Sequence, residues 1–169
     1  MSKGNRCGWV GQDPLYIDYH DMEWGVPEYY SRALWEKLTL EAFQAGLSWI
    51  TIMKKREHFR KAFAGFDPNV IADWGADQVE NLLQDSGIIR HRGKIEATIG
   101  NAKAWQNIES AQGFDHFLWR YVDHKPIINT WASLSEVPAQ TPLSQQISRD
   151  LKAAGFKFCG PTIVYAFMQ

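Results

Sequence analysis

From residue 31 onward, apolar residues return every three or four positions, the spacing that lines up one face of an α-helix. Leu34, Leu38, Ala45 and Trp49 share one such stripe with a single outlier, Glu41. Ser31 reads as an N-cap and Gly46 as the residue just past the helix end, so the pattern predicts a helix over 31–45. Ser48 offers a second N-cap, and 49–63 continue as a basic amphipathic helix. "FDPNVIADW" reads as a short helix entered through Asp67 and Pro68. "GADQVENLLQDSG" reads as another, closed by Gly87. Residues 91–108 form a long helix with Ile95, Ile99 and Ala102 inward, followed by "FDHFLWRYV". "PLSQQISRDLKAAG" stops at Gly155, and "PTIVYAFMQ" restarts at Pro161. All seven prolines fall between or at the edges of these segments. No alternating run is long enough for a sheet, although "PIINT" suits a short extended stretch. The irregular segment 125–142, with Pro126, Pro138 and Pro142, is the longest connection and a place for two lobes to join. The predicted class is all-α: a compact set of short helices in one domain over 1–169.

Composition agrees with a packed core. The chain has 169 residues, 45% hydrophobic and 22% charged, which is enough to bury one core and too apolar for disorder. No apolar run approaches the roughly 18 residues of a membrane span. The opening residues lack a secretory signal, so the expected location is cytoplasmic, with no membrane partner. In that setting the two cysteines, Cys7 and Cys159, are not expected to form a disulfide. The net charge of −1 excludes a generally basic coat. It does not exclude local basic faces, and there are two: Lys54, Lys55, Arg56, Arg60 and Lys61, then Arg90, His91, Arg92 and Lys94. The commonest meaning of either run alone is a solvated helix face. Eight tryptophans, six tyrosines and nine phenylalanines exceed what core filling asks of this length, and suit a heavy core, an interface or a pocket for a flat ligand.

Three constellations carry chemistry. "RCGWVGQDPLYIDYHDMEWGVP" brings Cys7, His20, Trp9, Tyr16, Tyr19 and Trp24 into eighteen residues. Cys7 and His20 suit two ligands of a tetrahedral zinc, but a structural site needs four, and spacing alone favours ordinary packing. Tyr16 and Tyr19 stand three apart and share a face of any helical turn. Glu41 is the second constellation. A buried carboxylate without a partner costs several kcal/mol, so it has either an internal salt bridge or cap, or a ligand that donates hydrogen bonds. Among aromatic rings, a positively charged purine meets that need through charge and stacking. The third is "LKAAGFKFCGPTIVYAFMQ". Its turn glycines allow close approach, and the new helix start offers free N–H groups to an anion. A plain helix–turn–helix in a core is the simpler reading of the same run.

Taken together, "RCGWV", "DPLYIDYHDMEWGVP", "QAGLSWITIMKKRE", "SGIIRHRGKI" and "GFKFCGPTIVYAFMQ" resemble the DNA-3-methyladenine glycosylase I family, a branch of the helix–hairpin–helix DNA glycosylases. These runs lie in order and span nearly the whole chain. The resemblance implies a two-lobe helical fold with a damaged base held in the cleft. It implies excision of 3-methyladenine from alkylated double-stranded DNA by a monomer, with the free base as product. By similarity Glu41 and Tyr19 carry the catalytic role. Glu41, Trp49, Tyr16, Tyr19, Trp24 and Trp9 form the base pocket. Gly46 and Leu47 plug the gap left by the flipped nucleotide, and Gly155, Lys157, Gly160 and Thr162 hold DNA from the hairpin. On this reading Glu41 has no protein partner, because its partner is the lesion. A non-catalytic binder of alkylated DNA or free methylated purine is the alternative. Cys7 and His20 match two of the family's four zinc ligands. The family's later His and Cys are not matched here, so either the staple is absent or this sequence ends before it; a structural zinc has half a ligand set, and no cofactor is needed for the chemistry.

Overall fold

The computed structural model describes residues 6–169, and these are predominantly helical, with no strand among them. Nine α-helices are described: α1 (Pro14–Met22), α2 (Ser31–Gln44), α3 (Trp49–Ala62), α4 (Pro68–Ile71), α5 (Ala76–Leu83), α6 (Arg92–Gln112), α7 (Phe114–Trp119), α8 (Pro142–Ala153) and α9 (Pro161–Met168). No helix among the described residues is long and apolar enough to cross a membrane. The central element is α2, which touches α3, α6, α7 and α9. Trp35 and Phe43 of α2 are fully buried, with Phe59 of α3, Phe63 just past its end, and Ile95 and Ala102 of α6. Each large apolar side chain removed from water in this way contributes about 1.5–3 kcal/mol. Phe59, Phe63 and Phe66 stack in sequence at 6.0 and 5.9 Å between ring centres, so one aromatic ladder carries the chain out of α3 into the next turn.

The boundaries follow capping chemistry, with informative exceptions. Asp13 and Asp67 accept from the N–H groups of Leu15 and Asn69, and a proline follows each cap. Thr141 and Ser144 form a reciprocal capping box at α8. Ser31, expected as a cap, lies inside α2, whose cap position is Tyr30. The Ser31 hydroxyl accepts from the Asp115 N–H and donates to the Asp115 carboxylate on α7, so a partner 84 residues away displaces the local role. Gly87 does not close α5, which ends at Leu83. Its bare Cα admits the His58 ring, which a Cβ would meet at 2.5 Å. "PIINT" forms no helix and pairs with no strand, and one 3₁₀ turn (Leu134–Glu136) is the regular piece of 125–141.

Cys7 and Cys159 are free thiols. Cys159 is 2% exposed, and burial pushes its thiol up to about 11. Since the thiolate is the reactive form, iodoacetamide at pH 8 should label Cys7 and spare Cys159 until the chain is unfolded. Equal native labelling, read by peptide mass spectrometry, would contradict this burial.

Candidate active site

The stripe that carries Glu41 does not run unbroken to Trp49. Helix α2 stops at Gln44, and Gly46 turns the chain with φ of 81°, a conformation only glycine adopts freely. Trp49 then opens α3. The turn brings Trp49 back over the end of α2 instead of one step further along it. Tyr19 of α1 meets Trp49 at 5.7 Å and Tyr16 at 6.3 Å between ring centres. Trp9 continues the wall, 4.9 Å from Tyr16 and 5.3 Å from Trp24. The five aromatic residues expected in a pocket thus stand as one chain of ring contacts beside the sixth, Glu41.

Glu41 is 5% exposed, and it has a protein partner. The Lys37 ammonium lies 3.0 Å from Glu41 Oε1 and donates to the Tyr19 hydroxyl at 2.6 Å. It also sits over the Trp49 ring, 3.9 Å from the ring centre. The expectation of an unpaired carboxylate is therefore wrong. The pair is one helical turn apart, an ordinary i,i+4 spacing, and was readable as the internal salt bridge. Burial nevertheless raises the Glu41 pKa, with Lys37 offsetting part of the rise. Burial lowers that of Lys37, against the pull of Glu41. Tyr19 is raised by burial and then by the Glu41 charge; Tyr16 is raised by burial, with smaller effects from Tyr19 and Glu41. Both phenols stay protonated at neutral pH and serve as hydrogen-bonding groups.

Two turns that carry expected DNA contacts are tied to one helix face. Lys94 of α6 is 7% exposed, and its ammonium donates to the carbonyls of Phe43 at 2.9 Å and Ala45 at 2.7 Å. These are orphan acceptors at the C-terminus of α2, where the helix dipole favours a cation. The Gly46–Leu47 turn is thus anchored from α6. Seven residues on, Asn101 clasps the α8–α9 connection: its amide donates to the Lys157 carbonyl at 3.0 Å and accepts from the Lys157 N–H at 2.8 Å. Ser148 adds a bond to the Cys159 carbonyl at 2.7 Å. Gly155, Lys157 and Thr162 are exposed on this connection, with Gly160 half-buried as the cap of α9. Neither Lys94 nor Asn101 carries a local sequence signal for its role at these turns. Their partners lie 49–56 residues away, and no local pattern reports that.

Cys7 and His20 are neighbours. The Cys7 N–H donates to His20 Nε2 at 3.4 Å, and His20 Nδ1 bonds Asp21 at 2.8 Å. Arg6 and then His20 hold the Asp21 carboxyl down at about 2. The imidazole also stacks on Trp24 and meets Trp9 edge-on. Among the described residues no three His, Cys, Asp or Glu side chains gather as a metal site, so two zinc donors do not complete one. An open depression lies elsewhere, lined by Thr51, Lys54, Lys55, His58, Ser86 and Gly87.

The chain is helical, with a buried carboxylate and its lysine partner among tryptophan and tyrosine rings and with two turns anchored to one helix. Comparison with known proteins narrows this. The sequence profile of the methyladenine glycosylase family matches residues 9–169. DNA-3-methyladenine glycosylase 1 of Escherichia coli (strain K12) is 54% identical over 165 residues, covering 97% of this chain and 88% of that protein. A crystal structure of 3-methyladenine DNA glycosylase I superposes with a TM-score of 0.96 at 55% identity, covering 98% of this chain and 91% of the other. A variant of 3-methyladenine DNA glycosylase I, solved in complex with 3-methyladenine, superposes at 0.94 with 40% identity, covering 97% and 89%. The chain belongs to the methyladenine glycosylase family.

Proposed function

We propose that this protein is a monofunctional DNA glycosylase that removes 3-methyladenine from alkylated DNA. The observation that carries the reading is Glu41, buried beneath Trp49 and Tyr19, in a chain 54% identical to a named DNA-3-methyladenine glycosylase. A base stacked in a duplex hides its glycosidic bond, so the nucleotide has to be extruded into a pocket. On this reading Leu47, exposed on the Gly46 turn, fills the gap it leaves. The α8–α9 connection acts as the helix–hairpin–helix grip on the DNA backbone, with main-chain groups from Gly155 to Thr162 facing phosphates. Lys94 and Asn101 hold both turns on α6, so plug and grip keep a fixed spacing. The connection 125–141 separates the sequence into two lobes around the pocket. The protein works as a monomer on double-stranded DNA.

In the pocket, Glu41 accepts hydrogen bonds from the base and Trp49 stacks on it, with Tyr16, Tyr19, Trp24 and Trp9 as the wall. Methylation at N3 leaves the attached adenine positively charged, which favours a site holding an anion and electron-rich rings. When the bond from C1′ to N9 breaks, its electron pair goes to N9 and the base departs neutral. Water supplies hydroxide to C1′ and releases a proton. The residues therefore act by extruding, orienting and stabilising a base that is already a good leaving group, and no bound metal is required for that.

The test is release of free 3-methyladenine from methylated duplex DNA in EDTA, followed by chromatography. The expected product DNA is unbroken until alkali cleaves its abasic sites. Quenching of tryptophan fluorescence by 3-methyladenine with no release would instead make the protein a binder.

A further inference from the structure

Lys37 meets each demand that a cationic base would make. Its ammonium bonds Glu41 Oε1 at 3.0 Å and the Tyr19 hydroxyl at 2.6 Å. Its third side faces the Trp49 ring at 3.9 Å, with the Tyr19 ring centre at 4.9 Å. These three residues are the ones to which the pocket reading assigns the base. The other charges nearby already cancel: Arg56 makes a two-pronged pair with Glu23 at 2.6 and 2.9 Å. Glu41 therefore supplies one negative charge for one cation. A lysine ammonium and a cationic purine cannot both take it at this distance without repulsion in a poorly solvated site. Lys37 also has a way out. Its side chain is 28% exposed, against 6% for Glu41, and a flexible four-carbon stem carries its charge to water readily.

Resting on the pocket reading, we propose that Lys37 is the resident cation of the empty site, which leaves Glu41 and Trp49 when the methylated base enters and returns when the base departs. The exchange has a direction. The incoming base is charged and competes with the lysine on equal terms. After bond cleavage it is neutral, holds Glu41 less tightly, and the ammonium displaces it. Lys37 thus lowers the apparent affinity for base, since only the lysine-out state is competent to bind, and it speeds product release. Lys37 is a specificity-determining residue on this account.

The experiment titrates tryptophan fluorescence with 3-methyladenine at pH 7 for wild type, Lys37→Met and Lys37→Arg, alongside base release from methylated DNA. The Met variant is expected to bind about tenfold tighter, a change of about 1.4 kcal/mol, and its turnover should be more strongly inhibited by added product. The Arg variant keeps a cation and should bind no tighter than wild type. A separate measurement needs no variant: reductive methylation of Lys37, read by mass spectrometry, should be slow in the free protein and faster once excess 3-methyladenine, outcompeting the ammonium by concentration, saturates the site. Equal or weaker binding by Lys37→Met, or labelling of Lys37 that base leaves unchanged, overturns the exchange. If wild type releases base under those results, the lysine proposal alone falls. If wild type neither binds nor releases base, the pocket reading falls and takes this one with it.

Discussion

Glu41→Gln should release 3-methyladenine from DNA at least about 10- to 100-fold more slowly than wild type, the equivalent of one hydrogen bond to a charged group. It should do so in a protein that is no less stable. The reasoning follows the sign of the pKa shift. Burial raises the Glu41 pKa above the ordinary 4.5, and Lys37 offsets only part of it. As pH climbs from 4.5 toward the raised value, the folded state keeps a proton that the unfolded chain has lost, so stability falls through that window. Above it, the ionised carboxylate is a standing strain on the fold. A glutamine fits the same space without the charge. Removing one member of a buried pair is usually costly because the other charge is stranded. Here the stranded partner is Lys37, whose side chain is 28% exposed and reaches water. The expected stability of Glu41→Gln at pH 7 is thus within about 1 kcal/mol of wild type, on the stable side. Denaturant unfolding at pH 4 and pH 7 checks both parts. The advantage of the variant should shrink at the lower pH. A large loss of stability at pH 7 would show that the ion pair holds the fold together, and undiminished base release would remove Glu41 from recognition.

Lys94→Met should have the largest effect on the fold itself. It leaves the Phe43 and Ala45 carbonyls without their donor at the C-terminus of α2. Lys94 is 7% exposed and, among the described residues, has no carboxylate partner, so carbonyl oxygens and the helix dipole hold its charge. Burial lowers its pKa accordingly. Two hydrogen bonds from a charged donor, less the relief of no longer burying that charge, come to about 2–4 kcal/mol. For a chain of this size that is a fall of roughly 5–15 °C in Tm. The Gly46–Leu47 turn loses its anchor in the same step, so base release from DNA should drop more than binding of free 3-methyladenine. Calorimetry and the two assays separate these effects. A Tm within about 2 °C of wild type would mean that water takes over the carbonyls.

The elements legible in the sequence are those whose signals are local. The 3.6-residue period placed the inward positions of α6, where Ile95, Ile99 and Ala102 are buried. Asp67 with Pro68 and Gly46 marked real ends for the same reason: a cap or a left-handed residue acts within one turn. What failed depended on distant partners. Ser31 looked like a cap and serves Asp115 instead. The apparent stripe through Ala45 and Trp49 was broken by the very glycine that marked its end. The aromatic residues and Glu41 were picked out correctly as neighbours, largely through the resemblance. Glu41 is not alone: Lys37, four residues earlier, stands at the ordinary spacing of a helical ion pair. Lys94 and Asn101 were not legible as anchors, because a side chain that braces a turn 50 residues away obeys no periodicity.

The way α1 is fastened bears on how the enzyme will respond to ionic conditions. Tyr16 and Tyr19 ride on a short helix joined to α3 by Lys54–Asp13, at 2.9 Å, and beyond its end by Arg56–Glu23, at 2.6 Å. Such pairs weaken as electrolyte is added. Half of the wall is therefore moored by contacts that loosen under the same condition that strips a protein from polyanions. Inhibition by concentrated electrolyte then has two origins, one at the duplex and one inside the molecule, and the second acts even on a lone nucleobase.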